Sequence, residues 1–169
     1  ADNRSGGRVA TTHLIERGAR RIGMIVGPLR LYAMTERLAG FHEAKQAARV
    51  ADDPDLVEAG LGTRTGGAAA MRRMLDNAPG LDAVFVASDL MAEGALDALD
   101  EAGVRVPQDL KLVCFDDTPQ ARARELTVVS QPVREMGEQA AAMMLDRMRT
   151  GDTPASAYVP TTLIVRASA

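Results

Sequence analysis

Short apolar runs alternate with amphipathic stretches along most of the chain. Residues 22–26 read Ile-Gly-Met-Ile-Val, 83–87 read Ala-Val-Phe-Val-Ala, and 110–115 hold Leu110, Leu112, Val113, Cys114 and Phe115. Runs of this length, closed by Gly, Pro or Asp, predict buried strands. A shorter run at 56–59 predicts a weak strand. Between these, apolar residues recur at helical spacing over 8–17, 35–48, 66–77 and 90–102. Val9, Ala10, His13 and Leu14 share one face of the first helix, and Gly18 stops it, as Gly103 stops the fourth. Strand and helix alternate every 25–30 residues or so, roughly the period of βαβ units that build a mostly parallel sheet through right-handed connections.

After Asp117 the rhythm changes. Residues 126–130 read as a short extended segment. Pro132 then sits at a helix start, where its missing N–H costs nothing. Val133, Met136, Ala140, Met144 and Met148 follow at helical spacing over 132–149, Gly151 ends the run, and 161–165 read as a last strand. The pattern holds no internal repeat and no low-complexity linker.

Composition narrows the class. The 169 residues suffice for one domain with a real core. Aromatics are 3% with no Trp, so that core must be built from Ala, Val, Leu, Ile and Met. The net charge of −3 gives no global basic field for nucleic acid. Cys114 is the single cysteine, so an internal disulfide is excluded and a reducing cytoplasm is the simplest home. No run of about 20 apolar residues offers a membrane span. No secretory signal opens the chain, which carries little weight because the chain starts without Met.

In an open α/β sheet, ligands bind beyond the carboxyl ends of the strands. Three predicted strand ends lead into polar groups. The first loop leads to Arg37 near a helix start, the run at 83–87 leads to Ser88 and Asp89, and Phe115 leads to Asp116 and Asp117. A guanidinium offers a planar fork of donors, a carboxylate accepts from two hydroxyls, and a serine does either. Together they suit a polyol. Each also has a plain reading: Arg37 as a solvated charge, one aspartate of the 116–117 pair as a turn cap. Ser88-Asp89 could likewise be a helix cap, and Asp89 is expected to cap, leaving Ser88 to face the cleft. Adjacent residues on an extended segment point in opposite directions, so Asp116 and Asp117 are not expected to converge on one atom.

At this point an ordered resemblance emerges. Asp2-Asn3, His13-Leu14-Ile15 with Gly18, Arg20-Arg21-Ile22-Gly23, and Arg37-Leu38-Ala39-Gly40-Phe41 come first. Ala87-Ser88-Asp89-Leu90-Met91-Ala92-Glu93-Gly94-Ala95-Leu96, Val106-Pro107-Gln108-Asp109 and Phe115-Asp116-Asp117 follow. Leu126-Thr127-Val128-Val129 with Gln131-Pro132 and Leu163-Ile164-Val165-Arg166-Ala167-Ser168 close the series. In this order the elements resemble the C-terminal, effector-binding portion of LacI/GalR-family transcriptional regulators, over essentially the whole chain. The resemblance implies a three-layer α/β fold, the C-terminal subdomain of the type I periplasmic-binding-protein-like architecture. It implies effector contacts from Arg37, Ser88 and Asp116, and from Asp2, which lies near the crossover between subdomains.

It further implies that residues 1–128 with 161–169 form the effector-binding subdomain, while the helix within 129–160 packs on an N-terminal subdomain outside this chain. The partners implied are a small sugar-like effector, a second copy in a homodimer, and operator DNA reached only through a helix-turn-helix that this chain lacks. If no such subdomain covers it, the helix is expected to drive oligomerisation or to refold onto this domain. The setting implied is cytoplasmic, with no catalytic role, no cofactor and no metal.

Departures from the family pattern bear on the effector. A ligand-stacking aromatic is replaced by Gly62, and Leu31 and Ala33 stand where purine-responsive members carry polar base readers. This argues against a purine without identifying a sugar. Cys114 replaces a glycine and reads as a small buried residue.

Residues 60–65 come within one position of Gly-x-Gly-x-x-Gly, but Thr65 replaces the third glycine. His42-Glu43 begins like a zincin helix, yet Gln46 stands where the second histidine belongs. His13 reads as a packed core residue. Two alternatives stay open: a periplasmic sugar-binding protein of an ABC transporter, which shares the fold, and an α/β enzyme acting through Asp116 or Asp117.

Overall fold

A computed structural model describes residues 1–51 and 53–169. In chain order its strands are β1 (Ile22–Val26), β2 (Val57–Ala59), β3 (Ala83–Val86), β4 (Lys111–Phe115), β5 (Thr127–Ser130) and β6 (Thr162–Ile164). They form one sheet in the order β2-β1-β3-β4-β5-β6. The first five are parallel, and β6 closes the far edge antiparallel to β5. Every residue of β1 and β3 is buried. Strands covered on both faces read as continuous apolar runs, and that is why these two were plain in the sequence.

The strand order reverses at β1, so right-handed crossovers put the helix after β1 on one face and the helices after β2 and β3 on the other. Helices α1 (Asn3–Glu16) and α2 (Tyr32–Ala47) pack together on one face, and α3 (Arg64–Asn77) and α4 (Asp89–Glu101) on the other. Each pair meets backbone to backbone through glycine. Gly7 lies against the Arg37 backbone and Gly40 against that of Arg4, while Gly67 abuts Met91 and Gly94 abuts Arg64. A Cβ at these positions would strike main chain, which cannot yield as a flexible side chain does. With few aromatics, the core is filled by Phe41, Phe85 and Phe115 together with Met24, Met71, Met74 and Met91. Unbranched methionine suits such irregular gaps.

Three features depart from the sequence expectations. α1 begins at Asn3, well before residue 8, because the Asp2 carboxylate accepts from the Ser5 N–H at 3.0 Å and caps it. Gly6 and Gly7 obscured this start, since glycine is a poor helix former unless packing demands it. A short helix, α5 (Pro119–Ala123), follows β4; Thr118 Oγ1 caps it by accepting from the Ala121 N–H, and Pro119 sits in its first turn. The third is α6 (Val133–Thr150), which has no buried residue. Val133, Met144, Leu145 and Met148 are each more than 60% exposed, so the helix does not refold onto this domain.

Candidate functional site

Beyond the carboxyl ends of β3, β4 and β5 lies an open cleft of about 450 Å³. Asp89, Asp116, Asp117, Thr118, Arg122, Ser130, Gln131 and Val133 line it. At the end of β4 the chain turns through a left-handed residue, Asp116, at φ 80°. Aspartate tolerates that region better than most side chains. The Asp116 N–H still donates to the Val129 carbonyl at 2.9 Å, so the turn stays tied to β5.

The turn sends the two carboxylates to different partners. Asp116 accepts from Gln131 Nε2 at 2.5 Å. Asp117 accepts from Arg166 at 2.7 Å and from Arg122 at 2.9 Å. Burial alone would push the Asp117 carboxyl up, but the hydrogen bonds and charges of Arg122 and Arg166 outweigh it and hold the group below its ordinary value. Asp117 is thus committed to holding the C-terminal segment, whereas Asp116 retains acceptor positions for a ligand.

Arg37 is 4% exposed, which overturns the solvated-charge reading. Its Nε donates to Asn3 Oδ1 at 2.9 Å and its Nη1 to the Ala87 carbonyl at 2.6 Å. Its Cζ lies 3.4 Å from the centroid of the Phe115 ring, a cation–π contact. Burial draws its pKa down to about 10, with Asp116 opposing, so it remains cationic at neutral pH. The side chain joins α2, which follows β1, to the carbonyl just past β3, the two strands between which the strand order reverses. Open α/β sheets gather ligands at that point.

The division of labour expected at residues 88 and 89 is reversed. Ser88 is the N-cap of α4, its Oγ accepting from the Met91 N–H at 3.4 Å. Asp89 lies in the first helical turn and lines the cleft. Both residue types cap well, so sequence could not divide the roles. Asp2 does not line the Asp116 cleft. It caps α1 and borders a separate depression of about 400 Å³ with Arg4, Tyr32 and Tyr158. Gln131 enters the sequence pattern only as part of a motif; a polar side chain one residue past a strand is the signal for its role.

The set-aside motifs resolve structurally. In the near-glycine fingerprint, Thr63 Oγ1 accepts from the Gly66 N–H at 3.0 Å and so caps α3. Gly62 has φ 74° and sits by Pro28 with no side chain to stack on a ligand. Cys114 is fully buried, and burial pushes its thiol far above the ordinary range, so it is inert at neutral pH. Among the described residues no group of three or more His, Cys, Asp or Glu is placed to hold a metal.

A parallel sheet in this order, helices on both faces and a polar cleft at the strand ends define a small-molecule-binding domain of the type I periplasmic-binding-protein-like class. Comparison agrees: residues 11–169 match the family described as periplasmic binding protein-like domain. The chain belongs to that family, in the branch found in LacI-type transcriptional regulators. It is 47% identical over 171 residues to the HTH-type transcriptional regulator CelR of Thermobifida fusca, covering 99% of this chain and 50% of that protein. It is 40% identical over 166 residues to the HTH-type transcriptional repressor PurR of Escherichia coli O1:K1 / APEC, covering 96% of this chain and 49% of that repressor. A solved CelR–cellobiose complex superposes with a TM-score of 0.96 at 44% identity, covering 99% of this chain and 52% of that one. The Escherichia coli repressor AscG superposes at 0.90 and 29% identity, over 100% of this chain and 62% of that one. The chain spans about half the length of the curated relatives it matches.

Proposed function

We propose that this chain is the effector-sensing part of a cytoplasmic LacI-type transcription regulator and that its effector is a sugar of the cellobiose kind. The observation that carries the reading is the gathering of Asp116, Gln131, Ser130, Thr118 and Asp89 in one cleft at the strand ends. Carboxylate, amide and hydroxyl groups in one cavity match the alternating donors and acceptors of a polyol. The similarity to CelR, solved with cellobiose, adds support. Leu31, Ala33 and Gly62 weigh against a purine despite the similarity to PurR.

Asp116 contacts the effector directly in this reading. Arg37 does not line this cleft and acts indirectly in this reading, holding Asn3 and the Ala87 carbonyl, one residue before Ser88, in place. Asp2 and Ser88, expected from the resemblance to face the effector, serve as helix caps that shape the cleft's surroundings. In the full-length protein, the effector closes this subdomain against a second one and thereby changes how a pair of DNA-binding heads meets the operator. An effector shifts that equilibrium only by its difference in affinity for the two states.

The exposed apolar face of α6 supports the assignment of 129–160 to the second subdomain, with 1–128 and 161–169 forming this one. Homodimer formation and operator binding belong to the full-length protein. The reading is tested by calorimetry and thermal shift on that protein with cellobiose. A ligand raises stability by RT ln(1 + [L]/Kd). Asp116→Asn is expected to weaken binding about 10-fold or more, the scale of a charge-assisted hydrogen bond. Binding that is unchanged in Asp116→Asn removes the cleft as the effector site.

A further inference from the structure

Asp89 is the ionisable group in the cleft that nothing yet accounts for. Its carboxylate is half-buried and lines the cleft, yet among the described residues it makes no hydrogen bond and no ion pair. The cap it was expected to supply comes from Ser88. The cations nearby are engaged elsewhere. Arg122 and Arg166 both bind Asp117, and the guanidinium of Arg37 is buried on Asn3, the Ala87 carbonyl and the Phe115 ring. Asp116 receives only the neutral amide of Gln131.

Asp89 stands in the first turn of α4, at the edge of the cleft. The cleft therefore presents the unpaired carboxylate of Asp89 with acceptor positions open, while the buried charge of Arg37 offsets part of that of Asp116 and Arg122 at the lining is paired with Asp117. Hydroxyl donors complement such a surface. An anion meets like charge there.

We propose that Asp89, acting with Asp116, is a specificity-determining residue that admits uncharged polyhydroxylated effectors and excludes their phosphorylated or carboxylated counterparts. The inference rests on the sugar reading of this cleft and goes beyond it. That reading says what the cleft holds, and this one says which charge it rejects and through which residue.

The test uses the full-length protein and three probes of nearly equal size. These are cellobiose, cellobiouronic acid, in which a carboxylate replaces one primary alcohol carbon, and the primary amide of that acid. By calorimetry the acid is expected to bind at least about 10-fold more weakly than the amide, the scale of one repelling charge pair. Added salt is expected to narrow that gap, because screening weakens charge repulsion. In Asp89→Asn, of nearly the same size, the acid-to-amide gap is expected to fall to about threefold or less.

Equal binding of acid and amide by the wild type overturns the proposal. So does a full gap retained in Asp89→Asn. An amide lost as completely as the acid shows that size, not charge, excludes both, and also overturns it. A wild type that takes none of the three probes overturns the sugar reading itself, and this inference with it. The wild-type comparison and its salt series stand on their own if the variant folds poorly.

Discussion

Arg37 carries structural weight. Its guanidinium ties α2 to the carbonyl at the end of β3 and to Asn3 at the start of α1, while stacking on Phe115. Replacement by Ala leaves the buried Ala87 carbonyl and Asn3 amide without their partner, so Arg37→Ala is expected to cost about 2–3 kcal/mol in urea unfolding. Arg37→Lys is expected to recover little of this, since a single ammonium cannot reproduce a planar fork that also stacks. Asp117 sets a second expectation at this scale. Its pKa is depressed in the folded state below the ordinary 3.8. The stability it contributes is therefore full above that value and lost as the pH falls through the depressed native one. The gap in unfolding free energy between the wild type and Asp117→Asn should be constant near neutrality and should shrink below about pH 4. A gap independent of acid pH would show that the bonds to Arg122 and Arg166 contribute nothing net.

Among the elements, the paired helices depend on glycine for a reason no pattern of apolar residues conveys. Gly40 faces the Arg4 backbone and Gly7 the Arg37 backbone, so α1 and α2 approach more closely than side chains allow. Gly40→Ala would raise intrinsic helix propensity yet is expected to destabilise the domain by about 1–3 kcal/mol, because main chain must move to admit the methyl. A thermal midpoint unchanged or raised would contradict that. α6 poses the opposite problem, a helix with nothing to pack on. Its support within this chain is local: Arg134–Glu138 and Asp146–Arg149 pairs, and Gly151 at φ 79° ending it. Such pairs are worth only tenths of a kcal/mol. Amide exchange in α6 is therefore expected to be fast in the isolated 169-residue chain and slowed at least about 10-fold in the full-length protein, where the second subdomain covers Met144, Leu145 and Met148. Equal exchange in both would reject the division at 129–160.

The scale of the whole molecule is where the cleft acquires its function. Of the exposed apolar residues of α6, Val133 at the helix start lines the cleft. If effector binding closes two subdomains over that cleft, X-ray scattering of the full-length protein should give a smaller radius of gyration with cellobiose than without. Asp116→Asn should remove the change at the same sugar concentration. A radius unaffected by a sugar that demonstrably binds would separate binding from closure.

The architecture was legible in the sequence because burial on both faces leaves a continuous apolar signature. β1, β3 and β4 stand where their runs are, and the carboxylate at the end of β4 announced the cleft. Arrangements set by distant partners were not legible. Arg37 meets Asn3 and Ala87 across 34 and 50 positions of chain, and Asp117 meets Arg166 across 49. Nor did the sequence divide Ser88 from Asp89, since either side chain caps a helix and only the backbone geometry at the start of α4 selects one. The sequence by itself determined the element order, the parallel sheet and the placing of polar groups at strand ends, because those follow from local periodicity and the twist of L-amino-acid chains. Tertiary structure alone decided which carboxylate is spent on arginine, which one caps nothing and faces the cleft, and which helix is left uncovered. Those outcomes depend on which groups the folded chain brings within hydrogen-bonding reach.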